Sequence, residues 1–317
     1  MTLEEEVRKG YTIPAKMKRV WQVQLDLLKK LLDVCERHQL RIWGDGGTML
    51  GTVREHGYTP WDDDIDMVLL RPDYDKLVQI APEEFKHPYF FQCAYSEKNY
   101  ARGHSQLRMD GTSAILRGDI GNSFHMGIFI DIFPYDAVPD DETERTSLLE
   151  TRNHLFRKLY EISKGWTVRH PFSSLINLMK RPSLKRLFHE YEVVLRSHKI
   201  EDNRCVSCLS YQIDLKHFLR DKHWYDETVF LPFEDMMMPL PKDYDLILRQ
   251  QYGDYMTPRQ APSYHGGFLF LDANVPYDVF LAGHKGEIRR VKWERIVCQV
   301  RNILKNEESG SREAITR

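Results

Sequence analysis

The apolar positions set the first reading of the chain. From Pro14 to about His38, Met17, Trp21, Leu25, Leu28, Leu32 and Cys35 recur at helical spacing, and Val20, Leu27 and Leu31 widen the stripe. So wide a stripe predicts a helix packed on a sheet or between neighbours. Leu40 to Gly44 predicts a short strand that delivers the chain to Gly46 and Gly47. Thr48 to His56 predicts a second helix, with Gly57 as its stop. Asp64 to Leu70 predicts a strand, and a helix follows Pro72. Strands are expected at Tyr89 to Tyr95 and twice within SQLRMDGTSAILR, turning at Asp110-Gly111. Gly127 to Phe133 reads as an internal strand, apolar on both faces except at Asp131.

After Pro139 the pattern becomes charged and helical, with breaks at His170-Pro171 and Arg181-Pro182. From Thr228 it is sheet-like again, and the methionine run after Glu234-Asp235 predicts core filling or a hydrophobic hairpin. Pro241 opens a helix that Gly253 ends. The predicted class is α+β, a mixed sheet flanked by helices with a helical middle region. The expected division is a catalytic core over 1–139, a mostly helical region covering the site over 140–227, and strands, loop and helix completing the same unit over 228–317.

Composition narrows the options. At 42% hydrophobic and 29% charged the chain is an ordinary globular one, neither disordered nor fibrous. A formal charge of −2 gives no basic excess, so no nucleic-acid partner is expected. The five cysteines form no framework, and Cys205 and Cys208 have the spacing of half a metal knuckle or a redox pair without a second pair beside them. A reduced, cytoplasmic protein is the expectation. No run of eighteen apolar residues occurs, and MTLEEEVRKG has no apolar signal core. The tail EIRRVKWERIVCQVRNIL sets five apolar positions against many basic ones. It predicts a helix packed on its own domain or, alternatively, peripheral contact with anionic lipid at the inner face of the membrane.

The chemistry concentrates in WGDGGTMLGTVREHGYTPWDDDIDMVLLR, residues 43–71. Asp64 and Asp66 stand two apart at the head of a strand, so both carboxylates share a side while Ile65 and Met67 face the core. Like charges held so close call for a cation, and oxygen ligands suit magnesium or manganese better than zinc. Amides at Gly46, Gly47 and Thr48, where a helix begins, can hold a phosphate, with Arg54 late on the same helix added to that set. A lone carboxylate in GIFIDIF is costly unless paired or ligated, which makes Asp131 the third acid. Arg108, on a strand between the two, is the expected counter-charge for a transferring phosphoryl group. Together these describe metal-dependent phosphoryl chemistry on a nucleotide-like donor. The motifs of serine hydrolases, zincins, dinucleotide-binding Rossmann domains and P-loop ATPases are absent.

The run GDGGTMLGTVREHGYTPWDDDIDMVLLRPDYDKL resembles the signature of the LicD family, the bacterial phosphocholine transferases to which fukutin and fukutin-related protein are related. The likeness recurs in GIFIDIFPYDAVP, in FEDMMMPLPKDYDLILRQQYGDYM and at His265. It implies a nucleotidyltransferase-like fold that needs magnesium, with manganese as the alternative. The implied reaction moves a phosphorylated small alcohol, phosphocholine first, from a CDP-linked donor to a glycan or lipid-linked glycan, releasing CMP. The family's glycine pair falls on Gly46 and Gly47, its acids on Asp64, Asp66 and Asp131, and Asp62 is expected to orient a neighbour. Trp61, Glu234 and His265 are further supporting positions, and Trp61 and Tyr100 are candidate aromatic faces for a quaternary ammonium. Gln106 stands where the family segment usually reads lysine. Two other readings stay open: attack on an α-phosphate with pyrophosphate leaving, and a non-catalytic nucleotide- or glycan-binding module.

Overall fold

In a computed structural model the chain is described over residues 1–98, 100–163, 183–210, 215–259, 267–294 and at residue 297. The protein has the expected α+β architecture, a mixed sheet flanked by helices with a helical region in the middle of the chain. Its spine is one long strand, Phe129–Val138. One edge of that strand pairs in parallel with Asp66–Leu70, which in turn pairs with the two-residue strand Trp43–Gly44. Antiparallel partners complete the sheet: Ser105–Met109 against Phe129 to Ile132, and Cys205–Ser207 against Asp136 to Val138. Tyr89–Gln92 and Arg220–Asp221 extend those two partners outward.

The central strand runs on through Pro134, past the Phe133 boundary that the sequence suggests. The Asp131 N–H points at Ile65 on the acidic strand, so by alternation the nitrogen of residue 134 points the other way. On that side pairing stops at Ile132 and resumes at Asp136, leaving position 134 opposite no ladder acceptor. A residue without an N–H loses nothing there.

Helix Ala15–Arg37 follows Pro14 and buries Val20, Trp21, Leu25, Leu27, Leu28, Leu31, Val34 and Cys35. Each of the larger of these side chains contributes about 1.5–3 kcal/mol on leaving water. The helix also grips the acidic loop directly. Trp21 Nε1 donates to the Asp62 carbonyl at 3.0 Å and Gln24 Nε2 to that of Asp63 at 2.8 Å. Trp21 stacks on Tyr58 with ring centroids 4.3 Å apart, which fixes the turn leading into that loop.

Several sequence expectations shift in detail. The two strands of SQLRMDGTSAILR turn at Asp110-Gly111 but do not pair with each other, because Ser105–Met109 belongs to the main sheet while Ser113–Leu116 pairs with Phe268–Asp272. The helix before Gly57 ends one residue earlier than the glycine, on His56 in the left-handed region at φ 56°. Thr228–Phe233 and Met236–Pro241 form the expected hairpin, with Met238 fully buried. In the middle of the chain, helices Glu142–Ser163 and Leu184–Leu195 build a separate apolar cluster around Leu187, Phe188, Tyr191 and Val138. The chain then returns to the main sheet at Cys205 and again at Arg220. Cys205 and Cys208 are both free thiols, and burial pushes Cys208 up to about 12. The beginning of the tail, helical over 285–294, sets Val291 in a third apolar cluster with Phe280 and Ile115. Among the described residues no helix is long and apolar enough to cross a membrane.

Candidate active site

The site is built where the parallel pair of strands begins. Asp66 lies opposite Asp131 in the ladder, Asp131 opposite Gln106, and Gln106 opposite Gln92. Residues directly opposite one another share a face, so a polar row crosses four strands of an otherwise apolar sheet. Asp64 sits just ahead of its strand, and Ile65 and Met67 between and beyond the acids are fully buried. Asp64, Asp66 and Asp131 each offer a carboxylate oxygen within 4.8 Å of the others. Asp62, Asp63 and Asp64 form a second group of the same compactness. Three clustered carboxylates, one of them buried, form an all-oxygen donor set that fits a hard divalent cation and would repel itself strongly without one.

Burial raises the Asp62 carboxyl above its usual range, and a hydrogen bond with Asp64 works against that rise. Thr59 Oγ1 donates to Asp62 Oδ2 at 3.2 Å. A Cβ on Gly47 would come within 2.9 Å of that same Oδ2, so the bare glycine is what lets Asp62 lie against the first turn of helix Gly46–Glu55. Tyr252 reaches the same place from helix Tyr244–Tyr252, its hydroxyl 4.0 Å from a Cβ built on Gly46. Although the residue as a whole is 39% exposed, desolvation of its hydroxyl raises its pKa above the usual phenol value, and the field of Asp45, Asp66 and Asp62 adds to the rise.

The Thr48 side chain has a part of its own beside that expected of its amide. Its Oγ1 accepts the Asp66 N–H at 2.8 Å, tying the glycine helix to the acidic strand. Arg54 is carried about 12 Å along the helix from Gly46. Its Nε donates to Glu55 at 2.7 Å and its Nη1 to the Tyr255 carbonyl at 3.1 Å, so it is not at the helix start. Arg108 is fully buried rather than facing a ligand. It spends its donors on Gln92 (2.5 Å), the Gly127 carbonyl (2.7 Å) and Gln106 Oε1 (2.5 Å), and it lies over the Phe129 ring. Burial lowers its pKa to about 10. Arg108 therefore fixes Gln106, whose Nε2 donates to Asp131 Oδ1 at 2.7 Å. The expected role as counter-charge to a phosphoryl group gives way to one of aligning the acid.

Glu234 is a turn residue at φ 53°, bound to Arg8 at 2.5 Å and accepting the Tyr58 N–H at 3.2 Å, away from the acid cluster. Trp61 meets Tyr11 edge-on at 6.2 Å. Tyr100 is 2% exposed and packs on Phe124, so it presents no face to a ligand. His265 lies outside the described residues.

Three participants escaped the sequence reading. His104 is 2% exposed, with Nε2 3.0 Å from Asp131 Oδ1. Asp45 carries no capping hydrogen bond from its side chain although it stands at the N-cap of the glycine helix. Arg220, fully buried, donates from Nη1 to Asp45 Oδ1 at 2.7 Å. The strand pattern around Asp131 offered a signal for Gln106. Nothing local announces Arg220, which lies 175 residues beyond Asp45 in the chain.

Comparison with known proteins agrees with this geometry. The family profile described as "LicD/FKTN/FKRP, nucleotidyltransferase domain" matches residues 39–160, a span that contains the acids, the glycine helix and the central strand. The chain is 24% identical over 248 residues to the lipopolysaccharide cholinephosphotransferase LicD of Haemophilus influenzae, covering 74% of this chain and 89% of that one. It is 33% identical over 98 residues to an uncharacterized protein of Rickettsia prowazekii, covering 30% of this chain and 36% of the relative. An uncharacterized protein of Rickettsia typhi is 32% identical over 83 residues, 26% of each chain. Residues 39–160 are thus similar to the nucleotidyltransferase domain of the LicD family.

Proposed function

We propose that the protein transfers a phosphorylated small alcohol, phosphocholine in the first instance, from a CDP-linked donor to a hydroxyl of a glycan or lipid-linked glycan. The observation that carries this reading is the set of oxygens from Asp64, Asp66 and Asp131 within 4.8 Å, at the foot of an uncapped helix N-terminus. The relative matched over most of its length is named for moving phosphocholine onto lipopolysaccharide, which supports the same transferred group.

Asp64, Asp66 and Asp131 would hold magnesium or manganese, which when bound offsets negative charge on the donor's phosphates. The backbone amides of Gly46, Gly47 and Thr48 would orient the diphosphate. The acceptor oxygen attacks the phosphorus that bears the alcohol, the bridging P–O bond breaks, and CMP leaves with its electron pair. Asp131, steadied by Gln106 and with the His104 ring beside it, receives the acceptor's proton. Asp62 stands beside Asp64 in the second acidic group, and the Tyr252 hydroxyl lies beside Gly46 at the helix start.

Incubating the purified chain with magnesium, a panel of CDP-alcohols and a glycan acceptor should release CMP with at least one donor. Pyrophosphate release from a nucleoside triphosphate in place of CMP would instead assign attack at an α-phosphate. Binding of CDP-alcohols with neither product would leave a binding module.

A further inference from the structure

We propose that Arg220 is a positioning residue that acts through Asp45, holding that carboxylate off the first turn of the glycine helix so that the turn can take an anion. The inference deepens the reading of the helix start as the diphosphate site and rests on it for its functional meaning. Aspartate at an N-cap ordinarily turns its side chain back and accepts the N–H of the second or third helical residue. Here those residues are Gly47 and Thr48, and Asp45 accepts from neither.

Its oxygens are engaged elsewhere. Oδ1 accepts from Arg220 Nη1 at 2.7 Å and Oδ2 from the Tyr135 hydroxyl at 2.6 Å. Both partners are locked. Arg220 is fully buried and lies over the Tyr135 ring at 5.2 Å, and its other contacts are the Tyr225 hydroxyl and Gln251 Oε1, each at 2.8 Å. It is delivered by the edge strand Arg220–Asp221, registered against Val206, which is registered in turn against Ala137 on the central strand. Tyr135 comes from that same central strand. Two elements of the sheet thus restrain one carboxylate. An aspartate released from them would do what capping aspartates do, and would present the helix with an anion of its own in competition with any phosphate.

The test follows the amides directly, by hydrogen exchange at Gly47 and Thr48 in the full-length chain, and alongside it the affinity for magnesium-CDP. Arg220→Met should slow exchange at those amides and weaken magnesium-CDP binding, each about fivefold or more, the size of a capping interaction. Adding Asp45→Ala to Arg220→Met should restore fast exchange and recover most of the affinity, since the competing cap is gone. Tyr135→Phe, which keeps the ring packing, should give a smaller change of the same sign with the same rescue. It serves if Arg220→Met does not fold. Exchange rates unchanged in both single variants would overturn the proposal. So would a double variant that stays as slow or as weak as Arg220→Met, because a residue that merely fills space is not rescued by deleting its neighbour. A wild-type chain that fails to bind magnesium-CDP would count against the donor reading, while the exchange rates would still decide the role of Arg220.

Discussion

Two aspartates five positions apart on the central strand are both buried, and their surroundings have opposite logic. Asp136, fully buried, meets Arg71 side-on through two hydrogen bonds of 2.5 and 2.9 Å. Asp131, 4% exposed, meets Asp64 and Asp66. The first carboxylate has its counter-charge built into the fold, and a guanidinium fork satisfies both oxygens in one plane. The second is braced by Gln106 and His104 but surrounded by further negative charge. The same residue type on the same strand is a strut at one end and half of a binding site at the other. What distinguishes them is the sign of the neighbours, not burial.

The comparison breaks first on Asp131→Asn. CMP release should fall by about a thousandfold or more, as expected when a metal ligand and proton acceptor is removed together. Retention of even a tenth of the rate would show that the acid is not part of the chemistry. Asp136→Asn should show the reverse: a loss of about 3 kcal/mol in urea unfolding, because Arg71 is left buried without its partner, with turnover per folded molecule little changed. Magnesium sharpens the contrast. At a hundred times its dissociation constant it should stabilise the wild type by about 2.7 kcal/mol, and Asp131→Asn by far less, as thermal melts with and without EDTA would show. In EDTA, Asp131→Asn should be as stable as wild type or slightly more so, since it loses a charge that the cation would have answered. A smaller effect on binding is expected from Gly47→Ala, about 1 kcal/mol from displacing the Asp62 carboxylate, read as weaker CDP-alcohol binding in calorimetry. Unchanged affinity would move the donor phosphate away from that turn.

The long amphipathic helix, the acidic strand and the Met-rich hairpin were legible because each is announced by local periodicity. So was the lone acid in GIFIDIF, since an apolar run makes a carboxylate conspicuous. The errors fall where a residue's role depends on which way it faces. Every residue from Ser105 to Arg108 is buried, so alternation along that strand could not reveal that Arg108 looks inward to Gln106. Arg54 shares a helix with the glycines, but a helix has two ends and Arg54 is at the other. Glu234 is an acid spent on Arg8 and a turn. Arg220 and His104 were invisible because the contacts that define them, to Asp45 and Asp131, form only across the folded sheet.

Pro134 gives the sheet an articulation that neither end of the central strand would provide alone. Because its ring faces the gap between Ile132 and Asp136, the edge is divided into two berths that share no hydrogen bond. One berth seats the strand that braces Asp131; the other seats the strands that bring Arg220 to Asp45. A strand cannot slide from one berth into the other without presenting an amide acceptor to a nitrogen that has nothing to donate. The imino acid thus acts as a bookend, setting the register of both halves.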